Sequence, residues 1–406
     1  MKIGFVTTWL ERGATYVTRT YMELLKDNNQ LYVFARGGEF FDSELTFEGA
    51  VIEKGLRLRD VELNWKQFSK WIKKNQLDVI IFNEQEDLEC VFKAKIEFPD
   101  VVLGSYIDYY KLNTVLDFRI FDFLLCNTKR HYEAFSWHSG AHYLPWGTNL
   151  ELFKCDISRK EKNNVVFFHS AGMSNRKGTI TLLDAFIESG IGKRGGKLII
   201  HSQKPIVYDV SEEEMQANNI SIIVKTVSHP GLYHLADVYV YPTTLDGLGL
   251  TIYEALAAGL PVITTDAAPM NEIISNTNGQ LVAVEKTCAR SDGYYWPLSF
   301  VSKDSLIEKM NYYLENIDKL ETYKREARKF AEASLDILMR KNDLYHIITS
   351  EKSKTTPDEA KVLLREYVSG KNKLVYHRIA ESVLPDGLKS IIREKRESKR
   401  YDKSRK

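Results

Sequence analysis

Two carboxylates and two glycines stand close together in DGLGLTIYEALAAGLPVITTD, residues 246–266. Asp246 and Glu254 are eight positions apart and bracket Gly247, Leu248, Gly249, Leu250 and Thr251. Gly247 and Gly249 let the backbone approach a ligand closely. Residues 251–258 have the composition of a helix that begins at this turn. A helix amino end presents free amides and the positive end of a dipole, which together favour a phosphate. Carboxylates beside it accept hydrogen bonds from sugar and ribose hydroxyls.

Other phosphate chemistries do not fit these residues. The G-x-G is not a dinucleotide fingerprint, because Ile252 stands where a third Gly is needed. The stretch from Gly172 through Arg176, Lys177 and Gly178 to Thr179 has Lys and Gly in the wrong order for a P-loop. No Asp-x-Asp occurs, and neither the four Cys nor the nine His show metal-ligand spacing, so no metal is expected. Cys90, Cys126, Cys155 and Cys288 read as reduced, buried thiols.

The elements that must position this chemistry follow from periodicity. A strand at 238–241 precedes Asp246 and puts the glycines at its carboxyl end, where open α/β sheets place ligands. Further strand-like runs lie at 3–7, 31–35, 79–82, 101–104 and 123–126, with amphipathic segments such as 16–26 and 65–74 between them. Near-continuous apolar strands alternating with helices predict a parallel sheet covered on both faces. The pattern pauses at 144–147 and 154–164, then restarts with runs at 165–168, 197–201, 220–225, 238–241 and 262–264. The spacing predicts two Rossmann-like domains, 1–150 and 151–335, followed by a helical extension, 336–406. Within that extension Thr356-Pro357-Asp358-Glu359 spells a capping box.

A length of 406 residues agrees with two or three domains, and 44% hydrophobic residues exclude wholesale disorder. Lys plus Arg number 56 against 55 Asp plus Glu, a net charge of +1 that argues against a nucleic-acid-gripping surface. Residues 389–406 hold nine Lys/Arg and three Asp/Glu, so a mildly acidic body carries a basic tail. The tail admits a solvated end or peripheral contact with anionic lipid. No apolar run approaches the roughly 18 to 20 residues that span a bilayer. The start, MKIGFVTTWLERG, meets charge at Glu11 and Arg12 and offers no cleavable signal, so a cytoplasmic protein is expected, at most peripheral at a membrane.

The stretch from Asp246 resembles the donor-site motif of family 4 glycosyltransferases, retaining enzymes of the GT-B fold. Their pattern is an acidic residue, G-F-G-L, and a Glu eight positions after the first acid. Leu232-Tyr233 and Ala236-Asp237 resemble the family's LY..AD segment, and Pro242 precedes the motif as usual. Pro269, Glu272 and Ile273 resemble PEI with two residues inserted, and Asn278-Gly279 the following NG turn. Lys177-Gly178 with Leu182, Leu183, Ala185 and Phe186 resembles KG...LL.AF, and Pro145 to Asn149 with Phe153 the interdomain PNGVD...F. The departures are Asp246 where Glu is usual, Met173 where an Arg follows Gly, and Asp108 about where an acceptor-side His falls.

This resemblance implies an α/β protein with a GT-B-like fold, and a hexosyltransferase-like enzyme that uses a nucleotide-diphosphate sugar and no other cofactor. Glu254 would bind the ribose and Asp246 the transferred sugar, with Lys177 and Arg176 on the diphosphate. Amides near Leu248 and Gly249, the helix start at Leu250 and Thr251, and the close-approach glycine Gly13 would complete the donor site. Asp108 would lie on the acceptor side, the acceptor being a glycan, a lipid-linked molecule or a protein. His169 is expected either as a satisfied structural histidine or as a ligand contact. Tyr106, Tyr109 and Tyr110 are expected either at a core edge or against a sugar ring. Two alternatives remain: a nucleotide-sugar epimerase or hydrolase of the same fold, and a non-catalytic subunit that binds nucleotide sugar.

Overall fold

The computed structural model describes residues 1–38, 40–56, 58, 61–156 and 163–383, with 372–383 described through their helical backbone. The basic tail at 389–406 lies outside the described residues.

The first sheet is built from β1 (Lys2–Thr7), β2 (Gln30–Ala35), β3 (Ala50–Lys54), β4 (Val79–Asn83), β5 (Val102–Tyr106), β6 (Phe123–Cys126) and β7 (Ala141–Tyr143). Its order is β3-β2-β1-β4-β5-β6-β7 and every pairing is parallel. β4, VIIFN, is buried at each position because helices cover both faces. Those helices include α1 (Gly13–Leu25), α2 (Trp65–Asn75), α3 (Glu89–Glu97) and the short α4 (Lys129–Ala134).

The second sheet comprises β8 (Val165–Gly172), β9 (Gly196–Ser202), β10 (Ile220–Val224), β11 (Val238–Tyr241), β12 (Val262–Thr265) and β13 (Gly279–Val282), flanked by α5 (Thr179–Glu188), α6 (Glu212–Ala217) and α7 (Leu250–Ala257). Its order, β10-β9-β8-β11-β12-β13, repeats the winding of the first sheet. Each sheet reverses strand order once, between β1 and β4 in the first and between β8 and β11 in the second. At such a reversal successive loops diverge and leave a crevice at the strands' carboxyl ends. The two crevices face each other.

Ten strands expected from the apolar runs are present, two at the expected bounds and eight with ends moved by one to four residues. The edge strands β3 and β7 and the last strand β13 go beyond that expectation. So does an antiparallel hairpin, β14 (Val284–Cys288) and β15 (Leu298–Val301), outside both large sheets. Its tip reaches the first domain, where Tyr294 bridges to Lys111 and the Tyr295 amide donates to the Tyr110 carbonyl at 3.0 Å.

The chain then runs through α8 (Lys303–Glu315) and α9 (Leu320–Ser334) and crosses back beside the linker. There Thr148 pairs with Asp336, and its amide donates to the Leu335 carbonyl at 2.7 Å. α10 (Lys341–Ser350) packs on α1, and α11 (Pro357–Val383) lies along α3. The capping box forms as spelled: the Glu359 amide donates to Thr356 Oγ1 at 3.3 Å, and the Thr356 amide to Glu359 Oε2 at 2.8 Å. A buried ion pair ties this return to the first domain. Lys95 Nζ lies 2.5 Å from Asp122, both side chains having no exposure, and it also donates to Ser353 Oγ at 2.9 Å. Asp122 in turn accepts from the amides of Leu103 at 2.7 Å and Lys354 at 2.8 Å.

Candidate active site in the interdomain cleft

On the second domain, β11 hands the chain to a turn that ends at Gly249, whose φ of 77° is left-handed and suits glycine. Gly249 is the N-cap of α7 and supplies no side-chain cap, so the helix opens with its amide end toward the cleft. Across that gap lies the start of α1, also without a side-chain cap. A methyl at Gly13 would meet Leu250 Cδ1 at 3.6 Å, which brings the two amino ends close together. Leu248 is buried beneath the turn, and Thr251 sits beside the Tyr239 and Tyr241 hydroxyls.

Lys177 and Asp246, 69 residues apart in sequence, form an ion pair at 2.5 Å. Tyr241 OH donates to the same carboxylate oxygen, and Lys177 also reaches Tyr241 OH. Burial alone would push the Asp246 carboxyl up. The Lys177 charge and these hydrogen bonds outweigh it and hold the group well below the usual carboxylate range.

The basic turn is fixed by its backbone. The Arg176 carbonyl accepts from the Thr244 amide at 2.8 Å and from the Thr243 and Thr244 hydroxyls. Gly178 follows with a φ of 74°, and a methyl there would lie 2.0 Å from the Pro242 carbonyl oxygen. The Arg176 side chain is exposed at the cleft and makes no ion pair among the described residues. Met173, where the family pattern has Arg, is 70% exposed.

Glu254 is buried on α7 and accepts from Tyr233 OH at 2.6 Å. Burial raises its carboxyl above the ordinary range, opposed by that hydrogen bond and by His229 and Lys177. His169 is structural. Its Nδ1–H donates to the Val240 carbonyl at 2.8 Å, Nε2 accepts from Thr179 Oγ1 at 2.9 Å, and burial lowers its pKa to about 4.

The first domain contributes Arg12, Glu84, Asp108 and Tyr109 to a cavity of about 440 Å³, shared with Arg176, Asp246, Gly247, Arg290 and Tyr294 of the second. Asp108 presses on the donor turn: a methyl at Gly247 would lie 1.7 Å from Asp108 Oδ1. Burial, then the neighbouring Glu84 and Asp246 carboxylates, hold Asp108 well above the ordinary carboxylate range. Glu84 pairs with Arg12 at 3.1 Å and has a φ of 51°, a left-handed conformation that costs a non-glycine residue roughly 1 to 3 kcal/mol. Tyr106 and Tyr110 are core residues, whereas Tyr109 lines the cleft and stacks on Tyr294 with ring centroids 5.1 Å apart.

Several of these residues carry no motif. Arg12 and Glu84 follow expected strands and could have been suspected from that position alone. Arg130 and His131, which belong to no motif, bridge the domains together with Glu272 of the PEI-like segment: the Glu272 carboxylate accepts from the Lys129 amide at 2.7 Å and the Arg130 amide at 2.9 Å. Among the described residues no group of three or more His, Cys, Asp or Glu is placed to hold a metal, and no helix is long and apolar enough to cross a membrane.

The chain is similar to known glycosyltransferases. Residues 162–291 match the family "Glycosyl transferases group 1". The lipopolysaccharide core biosynthesis mannosyltransferase LpsB of Rhizobium meliloti (strain 1021) is 32% identical over 79 residues, 19% of this chain and 22% of that one. EpsF of Bacillus subtilis (strain 168) is 28% identical over 140 residues, 31% of this chain and 36% of that one. The matched stretches therefore span about a fifth and a third of these relatives. The crystal structure of Anabaena HepE in complex with UDP and glucose superposes with a TM-score of 0.66 at 17% identity, covering 86% of this chain and all of that one. The chain resembles family 4 glycosyltransferases and has the GT-B-like fold that the sequence resemblance implies.

Proposed function

We propose that this chain is a glycosyltransferase that moves a sugar from a nucleotide diphosphate to an acceptor hydroxyl with retention of anomeric configuration. Its setting would be glycan or polysaccharide biosynthesis. The observation that carries this is the Lys177–Asp246 pair at the uncapped start of α7, facing Gly13 across the interdomain cleft. Cations and helix amides meet there with a carboxylate that stays ionised.

In this reading the donor diphosphate lies against Lys177, Arg176 and the amides near Leu248, with α1 opposite. Glu254 takes ribose hydroxyls, and Asp246 takes hydroxyls of the sugar to be transferred. As the anomeric carbon–oxygen bond breaks, negative charge grows on the departing diphosphate. Fixed cations and amides stabilise it, by about 3 to 4 kcal/mol for a well-placed donor. The acceptor hydroxyl enters on the Asp108 side, bonds to the anomeric carbon on the face the diphosphate leaves, and passes its proton to an oxygen of the departing diphosphate. No metal is needed, because side-chain cations do that work. UDP-sugars come first for testing, since HepE is seen with UDP and glucose. LpsB, a lipopolysaccharide core mannosyltransferase, points to a glycan or lipid-linked acceptor.

The test is a thermal-stabilisation screen of UDP-, GDP- and ADP-sugars, since a ligand of the native state raises its stability by mass action. Product analysis with the stabilising donor follows. Transfer to an acceptor supports the proposal. Sugar left on the nucleotide but epimerised replaces it with the epimerase, and stabilisation without any turnover replaces it with a donor-binding subunit.

A further inference from the structure

The donor turn is gripped from the first domain through its backbone. Just past β6, Thr128 caps α4, its Oγ1 accepting from the His131 amide at 3.1 Å, and this cap sets Arg130 and His131 against the second domain. Arg130, 4% exposed, donates from Nη2 to the Asp246 carbonyl at 2.7 Å and from Nη1 to the Ala268 carbonyl at 2.6 Å. Its guanidinium also lies over the Trp296 ring at 5.1 Å. His131 Nε2 is 2.9 Å from the Gly247 carbonyl, and its Nδ1 is 2.9 Å from Tyr110 OH. Trp296 Nε1 donates to that hydroxyl at 2.5 Å.

These bonds have only one consistent direction. A carbonyl can only accept, so Nε2 carries the hydrogen and Nδ1 the lone pair. Tyr110 must then give its single hydrogen to Nδ1 and accept from the indole. Burial, helped by the Arg130 charge, lowers the His131 pKa to about 3, so the ring stays neutral and keeps this tautomer.

Two consecutive peptide units of the donor turn are therefore oriented by another domain. In a planar trans peptide the N–H points opposite to the C=O. Holding the carbonyls of Asp246 and Gly247 toward α4 thus aims the amides of Gly247 and Leu248 the other way. We infer that Arg130 and His131 are positioning residues: they orient the donor turn so that tight binding of a nucleoside diphosphate or its sugar requires the first domain docked on the second. Glu272, gripping the α4 amides from the second domain, closes the same contact from the other side.

Since this rests on the transferase proposal, the test compares variants in the intact chain. His131→Phe removes the bond to the Gly247 carbonyl, and His131→Gln keeps an N–H that can reach it. The probes are the nucleoside diphosphate that stabilises wild type in the UDP, GDP and ADP screen, followed by calorimetry, and the matching sugar donor for kinetics. His131→Phe is expected to raise the diphosphate Kd and the donor KM at least about tenfold with the acceptor KM unchanged, and His131→Gln to return both to within about threefold of wild type. A Phe variant with wild-type donor KM, or a folded Gln variant that restores nothing, overturns the inference while leaving the transferase proposal standing. If His131→Phe does not fold, Arg130→Lys serves in its place. It keeps the charge but cannot fork to two carbonyls, so the same rise in donor KM is expected and its absence is equally decisive. A wild-type chain without donor binding or turnover overturns both proposals.

Discussion

Lys177 and Asp246 hold opposite charges in a half-buried cleft where neither would be favoured alone. Replacing Lys177 with Met is expected to lower transfer by about 100-fold or more, the usual loss when one stabilising donor goes. A titration signature accompanies that loss. With Lys177 present the folded-state carboxyl is depressed, so Asp246 contributes stability above its unfolded pKa, and that contribution is lost as pH falls through the folded value. In Lys177→Met burial is left unopposed by charge, and the carboxyl rises. Urea unfolding followed between about pH 3 and 6 should show a smaller acid loss of stability in the variant, reversed in sign if the carboxyl rises above its unfolded value. Glu254 behaves in the opposite sense. Its carboxyl is raised by burial, so folding favours the protonated form, and this contribution is lost as pH rises through the folded value. In the proposed donor site the ionised form is the stronger acceptor for ribose hydroxyls. Donor binding measured by calorimetry is therefore expected to weaken as pH falls through that raised value, and Glu254→Gln should bind weakly with little dependence on pH.

At the scale of elements, the basic turn depends on a backbone shape more than on its charges. Gly178 is left-handed and abuts the Pro242 carbonyl, so Gly178→Ala should cost at least about 1 to 2 kcal/mol in thermal unfolding and displace Lys177 enough to impair transfer. The Lys95–Asp122 pair is wholly buried, and breaking it from one side strands a charge. Lys95→Met is expected to lose about 3 to 5 kcal/mol, read by chemical denaturation, with early proteolysis in the returning segment near Ser353. Elements with a strong periodic signal were legible: 123–126 and 238–241 are strands at the bounds the apolar runs imply. β3, AVIEK, was not, because it is an exposed edge with charges in its alternation, and β7 is only three residues long. The β14–β15 hairpin escaped because its tip, rich in Tyr, Trp and charge, has no period and is stabilised by partners in the other domain. Asp246, Lys177 and Glu254 could be singled out because their chemistry sits in side-chain types at fixed spacing. Arg130 and His131 could not. Their partners are main-chain carbonyls 116 residues away, and a carbonyl leaves no mark on residue type.

Across the whole molecule, chain crosses or contacts the gap between domains at the linker, at the hairpin tip and at the return beside Thr148. The last of these ends in α11, which buries Ala360 and sets Tyr367 OH between the Leu88 amide at 3.1 Å and Asp87 at 3.2 Å. Tyr367→Phe should cost about 1 kcal/mol for the lost hydrogen bonds. Ending the chain at residue 350 should expose the apolar face of α3 and lower the melting temperature far more, as scanning calorimetry of both proteins would show. The grips on Asp246 and Gly247 act on main-chain atoms, and this bears on how the protein can be recombined. A donor half taken from a relative would bring its own side chains yet rely on the recipient's Arg130 and His131 to shape its turn. On that inference the match lies in the recipient's α4 and not in the donor half's residue types. Chimeras joined at the linker should keep donor affinity when the recipient half carries Arg130 and His131, and lose it when that half carries other residues there.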